Sequence, residues 1–285
     1  MHKIGITTDC VCDLPEEYLE ANDIDTVYFY ITTETGRFRD GYEITSANVL
    51  EYLENGGEKA ETNAPEPEEY KIFFEKALEK YDEIVHVSVS SQISLSCQNA
   101  RAALKLMGED GKKVTVIDSE HLSTGIGYMV IKAVEMRDSE KTAAEITNAA
   151  EDIKSKISTT FITLNADYLY RNGRVSKGVR NICSAFQLHP VLTVKNGNIT
   201  LKAVRIGNYE KAIIRYVRGQ LRHSSRIETK RLFITHAGCP VKMISQIKAE
   251  SEKLCSFEEI IVTKASATIS SNCGTGTVGV LFVYN

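Results

Sequence analysis

Apolar positions in the first half of the chain switch between two periods. Lys3–Thr8, Ile84–Val89 and Lys113–Ile117 are short runs rich in β-branched residues, which predicts strands covered on both faces. Between them the spacing lengthens to three and four. Tyr70, Phe73, Phe74, Ala77, Leu78 and Tyr81 predict a helix starting at Pro67, and Cys97, Ala100, Leu104 and Met107 predict another. Further helices are predicted over 16–21, with Asp13 as N-cap and Pro15 in the first turn, and over 45–53, capped by Thr45. Two more follow, over about 121–136 and about 142–157. The stretch 26–33 reads as β-rich, 36–41 as a hairpin or loop, and 58–65 as polar and irregular.

Strands and helices alternating at this spacing predict a parallel sheet with helices on both sides. Ligands bind such sheets beyond the carboxyl ends of the strands. Three polar turns, 8–13, 90–96 and 118–124, fall at those ends. The second half has a different pattern. Strands are predicted over 159–164, 231–235, 258–263 and 278–283, with helices over 209–221 and 241–254. Two more strands, 190–194 and 199–204, flank Lys195-Asn-Gly-Asn198, a strong hairpin signal. The expected architecture is therefore an N-terminal parallel-sheet α/β domain over 1–156. A C-terminal α+β domain with a mixed or antiparallel sheet follows over 157–285.

Composition narrows the function. The 285 residues are 42% hydrophobic and 25% charged, as in globular proteins that bury a full core. A net charge of −4 argues against a general polyanion binder. No aromatics interleave the basic cluster of Arg218, Arg222, His223, Arg226, Lys230 and Arg231, so nucleic acid is not an expected partner. That cluster suits at most an acidic docking partner. The chain opens on a strand rather than an export signal, and no apolar run approaches the roughly 20 residues of a membrane span. The seven cysteines are scattered, with no Cys-x-x-Cys pair, and read as reduced thiols of a cytoplasmic protein. No segment rich in His or Cys accompanies Cys10 and Cys12, so no metal is expected. No cofactor is expected either: Gly274-Thr-Gly-Thr-Val-Gly279 precedes a strand, the wrong context for a dinucleotide loop.

The stretch from Glu83 to Leu104 carries the main candidate chemistry. A strand ends in a turn holding Ser88, Ser90, Ser91, Ser94 and Ser96, and a helix follows. A helix start leaves N–H groups without partners, so these hydroxyls either cap the helix or help hold an anionic group there. Arg174, in a turn, is a candidate partner for Asp40. His86 reads as a core residue, and His236 as a residue that can face a cleft. The residues alone do not separate an enzyme from a binder.

Seven segments, in order, resemble the DegV family of bacterial lipid-binding proteins. They are Thr8-Asp-Cys-Val-Cys-Asp-Leu-Pro15, Arg39-Asp-Gly41, Thr62-Asn-Ala-Pro65 and Ser90-Ser-Gln-Ile-Ser-Leu-Ser-Cys-Gln-Asn-Ala100, then Asn172-Gly-Arg-Val-Ser176, Pro190-Val-Leu192 with Gly197 and Arg205, and Cys273-Gly-Thr-Gly276. The resemblance implies a long-chain fatty acid buried between the two domains, its carboxyl group held by Thr62 and Ser94. Asn272 would be a further donor and Arg174 would orient the site, with Asp40, Ser91, Ser96 and Gly274 supporting. Some members resemble the fatty-acid-binding subunit of a bacterial fatty acid kinase, which implies a separate kinase as partner and no catalysis by the binder alone.

Three positions depart from the family pattern. Leu95 follows the motif serine where glycine is common, and His189 replaces a lysine. Asn272 aligns with a frequent histidine. It can hydrogen-bond a carboxyl group but cannot carry charge. The alternative is an enzyme: an acyl hydrolase using Ser94 with His86 or His236 as base, or a subunit handling a small hydroxylated or phosphorylated ligand, since the family fold resembles the dihydroxyacetone kinase substrate domain.

Overall fold

Residues 2–164, 166–183 and 188–285 are described by the structure, a computed structural model. In chain order its strands are β1 (Ile4–Asp9), β2 (Asp25–Val27), β3 (Tyr30–Thr33), β4 (Gly36–Arg39), β5 (Glu61–Asn63), β6 (Glu83–Ser88) and β7 (Val114–Asp118). There follow β8 (Ile157–Ile162), β9 (Leu188–Lys195), β10 (Asn198–Ile206), β11 (Arg231–His236), β12 (Glu259–Lys264) and β13 (Val278–Val283). The helices are α1 (Glu16–Ala21), α2 (Ser46–Glu54), α3 (Pro67–Leu78), α4 (Ser96–Leu106), α5 (Thr124–Asp138) and α6 (Ala143–Lys154). After them come α7 (Asp167–Arg171), α8 (Lys177–Cys183), α9 (Tyr209–Gln220), α10 (Val241–Leu254) and α11 (Ala267–Cys273).

The β-branched runs become a parallel sheet of order β2-β1-β6-β7, as their continuous apolarity requires. The second half forms a six-stranded mixed sheet, β10-β9-β8-β13-β11-β12, parallel only between β11 and β12. A small antiparallel sheet, β4-β3-β5, packs beside them. The α/β class with a mixed second sheet is as the sequence predicts. The hairpin falls on Asn196 and Gly197, both at positive φ as a two-residue turn demands.

Helix α5 joins the two sheets. Ten of its residues from Thr124 to Val134 are buried, so its sequence is apolar nearly all round. Two glycines let backbone approach it. A Cβ on Gly127 would lie 2.8 Å from Leu14 Cδ2, and one on Gly125 would lie 2.4 Å from Thr159 Oγ1. One apolar cluster accordingly runs from Ile6 and Val85 through Ile126 and Met129 to Phe233 and Leu281.

Three local expectations are corrected. Asp13 does not cap α1, whose N-cap is Pro15; at φ 53° its carboxylate turns inward to accept from Ser266 N at 2.8 Å and from the Ser123 hydroxyl. The helix expected to 157 stops at Lys154, and Ile157 opens β8. Within 58–65, Glu61–Asn63 is a strand because β3 supplies its partner. The sequence analysis predicts no element just before Gly274, where the structure has helix α11.

Candidate ligand-binding site

A cavity with about 860 Å³ of atom-free space, its mouth included, is lined by residues from both halves of the chain. Its walls come from both sides: Val11, Phe29, Val89, Ile93 and Leu122 from the first half, and Phe161, Leu169, Ile199, Ile269 and Leu281 from the second. Thr62, Ser94, Arg174 and Asn272, the four ligand candidates, all line it. They are 210 positions apart at the extremes (272 − 62), and the topology brings them together.

Each is delivered by a specific element. Thr62 lies on β5, opposite Ile31 of β3. Ser94 lies in the turn before α4, just ahead of the N-cap Leu95, and its Oγ accepts from Ser96 N at 3.2 Å, so it serves a first-turn N–H and lines the cavity at once. Arg174 follows α7, where Gly173 at φ 70° ends the helix and Arg174 N reaches Leu169 O at 2.7 Å. Asn272 lies on α11, with Nδ2 donating to Thr268 O at 2.8 Å and to Thr62 Oγ1 at 3.3 Å.

Helix α11 is seven residues rich in Ser, Thr and Asn, a weak helix former. Two buried carboxylates hold its start. Asp13 accepts from Ser266 N; Asp40 accepts from Ala267 N at 2.9 Å and Thr268 N at 2.7 Å. Burial pushes the Asp13 carboxyl up to about 7, and burial also raises that of Asp40. The expected Arg174–Asp40 pair is therefore corrected: Asp40 is taken by the backbone of α11. Arg174 donates to Asn172 O at 3.0 Å, and among the described residues no carboxylate pairs with it. Its half-burial lowers its pKa through desolvation.

The supporting residues divide. Ser91 borders an outer groove that the cavity shares through Thr62, Ile93, Ser94 and Arg174. Gly274 ends α11 at φ 78°, where a Cβ would lie 2.6 Å from Tyr168 Cδ2. Ser96 faces away from the cavity into a buried cluster around Asp9. That carboxylate accepts from Ser96 Oγ (2.7 Å), Tyr70 OH (2.6 Å), Ser88 Oγ (2.9 Å) and Val89 N (2.8 Å). Burial opposes its charge, yet His86 and these donors outweigh it and hold its pKa low. His86 is a core residue as expected: Nδ1 is 3.0 Å from Thr7 Oγ1, while Nε2 lies 3.4 Å from Asp9 Oδ1 without the alignment of a hydrogen bond.

Five other hydroxyls on the cavity wall are committed. Thr159 meets His121, Thr160 meets Tyr216 and Val280 O, Thr235 meets Thr124 and Thr263, Thr277 donates to Cys273 O, and Ser123 donates to Asp13. Unspent hydrogen-bonding capacity thus collects at Thr62, Ser94, Arg174 and Asn272, with Thr268, whose buried hydroxyl has no partner among the described residues, one turn before Asn272. Ser123 falls within the polar turn 118–124 picked out above without being singled out, and Thr268 was missed because it has no local signal. His236 lines the cavity, its Nδ1 accepting from Cys239 N at 3.3 Å. His189, in place of the family lysine, sets its two ring nitrogens against Leu164 O and Gly207 O at 3.0 and 2.8 Å.

Among the described residues no group of three His, Cys, Asp or Glu side chains is placed to hold a metal, and no helix is long and apolar enough to cross a membrane. Half of the basic cluster is matched: Arg218 by Glu250, Lys230 by Glu135 and Arg231 by Glu259.

Comparison with known proteins follows the same lines. A DegV domain-containing protein of Deinococcus radiodurans is 25% identical over 285 residues, covering 97% of each chain. Among solved structures, one described as fatty acid binding of a DegV family protein from Thermus thermophilus has a TM-score of 0.87 at 24% identity, covering 99% of this chain and 100% of that one. DegV of Bacillus subtilis, described as a fatty acid binding protein, has a TM-score of 0.86 at 22% identity over both whole chains. The Fatty Acid Kinase (Fak) B3 protein of Streptococcus pneumoniae, loaded with linoleic acid, has a TM-score of 0.86 at 19% identity, covering 99% and 100%. At these identities the structures establish the shared fold. The family model described as uncharacterised protein, DegV family, matches residues 3–285, and the chain belongs to that family.

Proposed function

We propose that the protein binds a long-chain fatty acid in this cavity, without catalysing a reaction itself. The acyl chain lies among Val11, Phe29, Val89, Phe161 and Leu281, and the carboxyl group lies at Thr62, Ser94, Arg174 and Asn272. We take residues 1–156 and 157–285 as the two domains that enclose it, in a cytoplasmic protein. One observation carries the reading: apart from the Thr268 hydroxyl, one turn from Asn272 on α11, every other wall hydroxyl named above is internally bonded, so the cavity is apolar in effect except at one end. Solved relatives described as fatty-acid-binding support it.

The energetics agree. Burying a long acyl chain at ~0.8 kcal/mol per methylene gives on the order of 10 kcal/mol gross, part of which association entropy removes. A buried carboxyl group without partners costs several kcal/mol, and the four residues supply those partners. Because Thr62, Ser94 and Arg174 also border the outer groove, the head group lies where a separate fatty acid kinase protein reaches it. The neighbour described as a fatty acid kinase B3 protein supports that partner.

The test is mass spectrometry of an organic extract of freshly purified, denatured protein. A stoichiometric long-chain fatty acid is expected, and Thr62→Ala with Ser94→Ala together is expected to lower occupancy with little change in fold. An extract free of acyl chains contradicts the reading. The hydrolase alternative lacks a base: among the described residues Ser94 bonds no histidine, and His86 is spent on Thr7 beside Asp9.

A further inference from the structure

Strand β13 runs along the cavity wall with one side chain missing. Thr277, just before the strand, and Gly279 and Leu281 on it line the wall. The alternate residues Val278, Val280 and Phe282 pack in a separate cluster on the other face. Gly279 therefore turns its empty side toward the cavity. Its neighbours across the sheet are Phe161 of β8 and Thr235 of β11, both wall residues. Gly279 is the bottom of a trough between them.

The fold gives no reason for glycine at this position. Inside a strand glycine costs backbone entropy and packs nothing, and it marks a bulge, a bend or the close approach of another backbone or a ligand. The ladders on both sides run in unbroken register through Gly279, and its φ lies outside the left-handed region. A Cβ there would meet Leu281 Cδ1 at 3.0 Å, Thr160 O at 3.5 Å and Thr235 O at 3.6 Å. All three atoms belong to the sheet itself. The two carbonyl oxygens are at ordinary contact distance, and the third atom is the tip of a flexible side chain. No atom of another layer lies closer than these. What a side chain at 279 would fill is the cavity.

The trough lies between the two ends of the wall. Thr277 donates to Cys273 O, next to Asn272, at the polar end. Leu281 is where the strand leaves the wall: it shares a core cluster with Ile126 and Met129 of α5, and Val283, next on the same face, is core alone. From Thr277 to Leu281 an extended strand covers about 13 Å, and Gly279 stands midway.

Resting on the acyl reading of the cavity, we propose that Gly279 determines chain length. Its missing side chain opens the trough by which an acyl chain reaches Leu281, so the site takes long chains, and a side chain at 279 limits it to short ones.

The experiment measures Kd by isothermal titration calorimetry for decanoic, dodecanoic, tetradecanoic and hexadecanoic acids on delipidated full-length protein. Wild-type affinity is expected to rise about fourfold with each added methylene through the series. Gly279→Val is expected to stay within about threefold of the wild type for decanoic acid and then to level off, leaving hexadecanoic acid weaker by about tenfold or more. Gly279→Ala is expected to level off less, and it carries the test if valine disturbs the sheet. Equal weakening at every chain length assigns Gly279 to the packing of Leu281 and overturns the proposal. A wild-type profile in the folded variants overturns it as well, with lipid binding intact. Failure of the wild type to bind any of the acids overturns the acyl reading, and the proposal with it.

Discussion

Ser94 and Ser96 stand two positions apart in one turn and meet opposite fates. Ser96 joins the Asp9 cluster, where Tyr70, Ser88 and Val89 N converge on one buried carboxylate and each donor has its acceptor. Ser94 faces the cavity with a hydrogen still to give. The difference shows how a serine-rich turn divides into scaffold and site. Closed hydrogen-bond networks hold the fold, and the polar groups left open mark where something else binds.

Breaking the closed network is expected to have the largest effect. Asp9→Ala strands several buried donors and should cost about 3–5 kcal/mol of stability, read from the denaturant midpoint. A smaller loss than about 1 kcal/mol would mean that the cluster is not the anchor of the turn. Next comes Asp13, a carboxylate that belongs to neither class. Its folded pKa of about 7 lies above the ordinary 3.8, so the folded chain holds an extra proton between those values. Its contribution to stability is full below about pH 4 and is lost as pH rises through 7. Comparing the wild type with Asp13→Asn should isolate this trend, up to about 1.4 kcal/mol per pH unit, and identical pH profiles would refute it. Gly197→Ala should cost about 1–3 kcal/mol, because φ there is 76° and the new Cβ would lie 2.7 Å from Ser90 Oγ. The smallest effect is predicted for the open side. Ser94→Ala should cost at most about 1 kcal/mol in stability while lowering acyl occupancy, which inverts the pattern of Asp9→Ala.

What the sequence disclosed follows from the range of the interactions involved. The parallel sheet was legible because doubly covered strands such as Ile84–Val89 must be apolar on both faces, and the hairpin because Asn-Gly suits positive φ. Helix α11 was not, because its residues disfavour helix and its stability comes from Asp13 and Asp40, more than two hundred positions away. Asp13 before Leu-Pro resembles a local cap, and only the tertiary structure reveals the positive φ that turns it inward. The four ligand candidates were legible through resemblance, and the cavity gathers them. Pairing Arg174 with Asp40 failed because a backbone N–H is invisible as a competitor in a side-chain reading. Strand β5 was missed because three polar residues show no period, although that strand delivers Thr62.

The burial of α5 between the two sheets has a kinetic consequence. Its glycines fix close contacts on both sides, and Asp13, Asp40, Ser90 and Thr124 stitch the same seam with hydrogen bonds to Ser266, Ala267, Gly197 and Thr235. Parting the sheets like a clamshell would break all of these together. If the proposed acyl guest is bound, it would have to pass lengthwise by the shared border at Ser94 and Arg174, and slow exchange there would keep it aboard through purification.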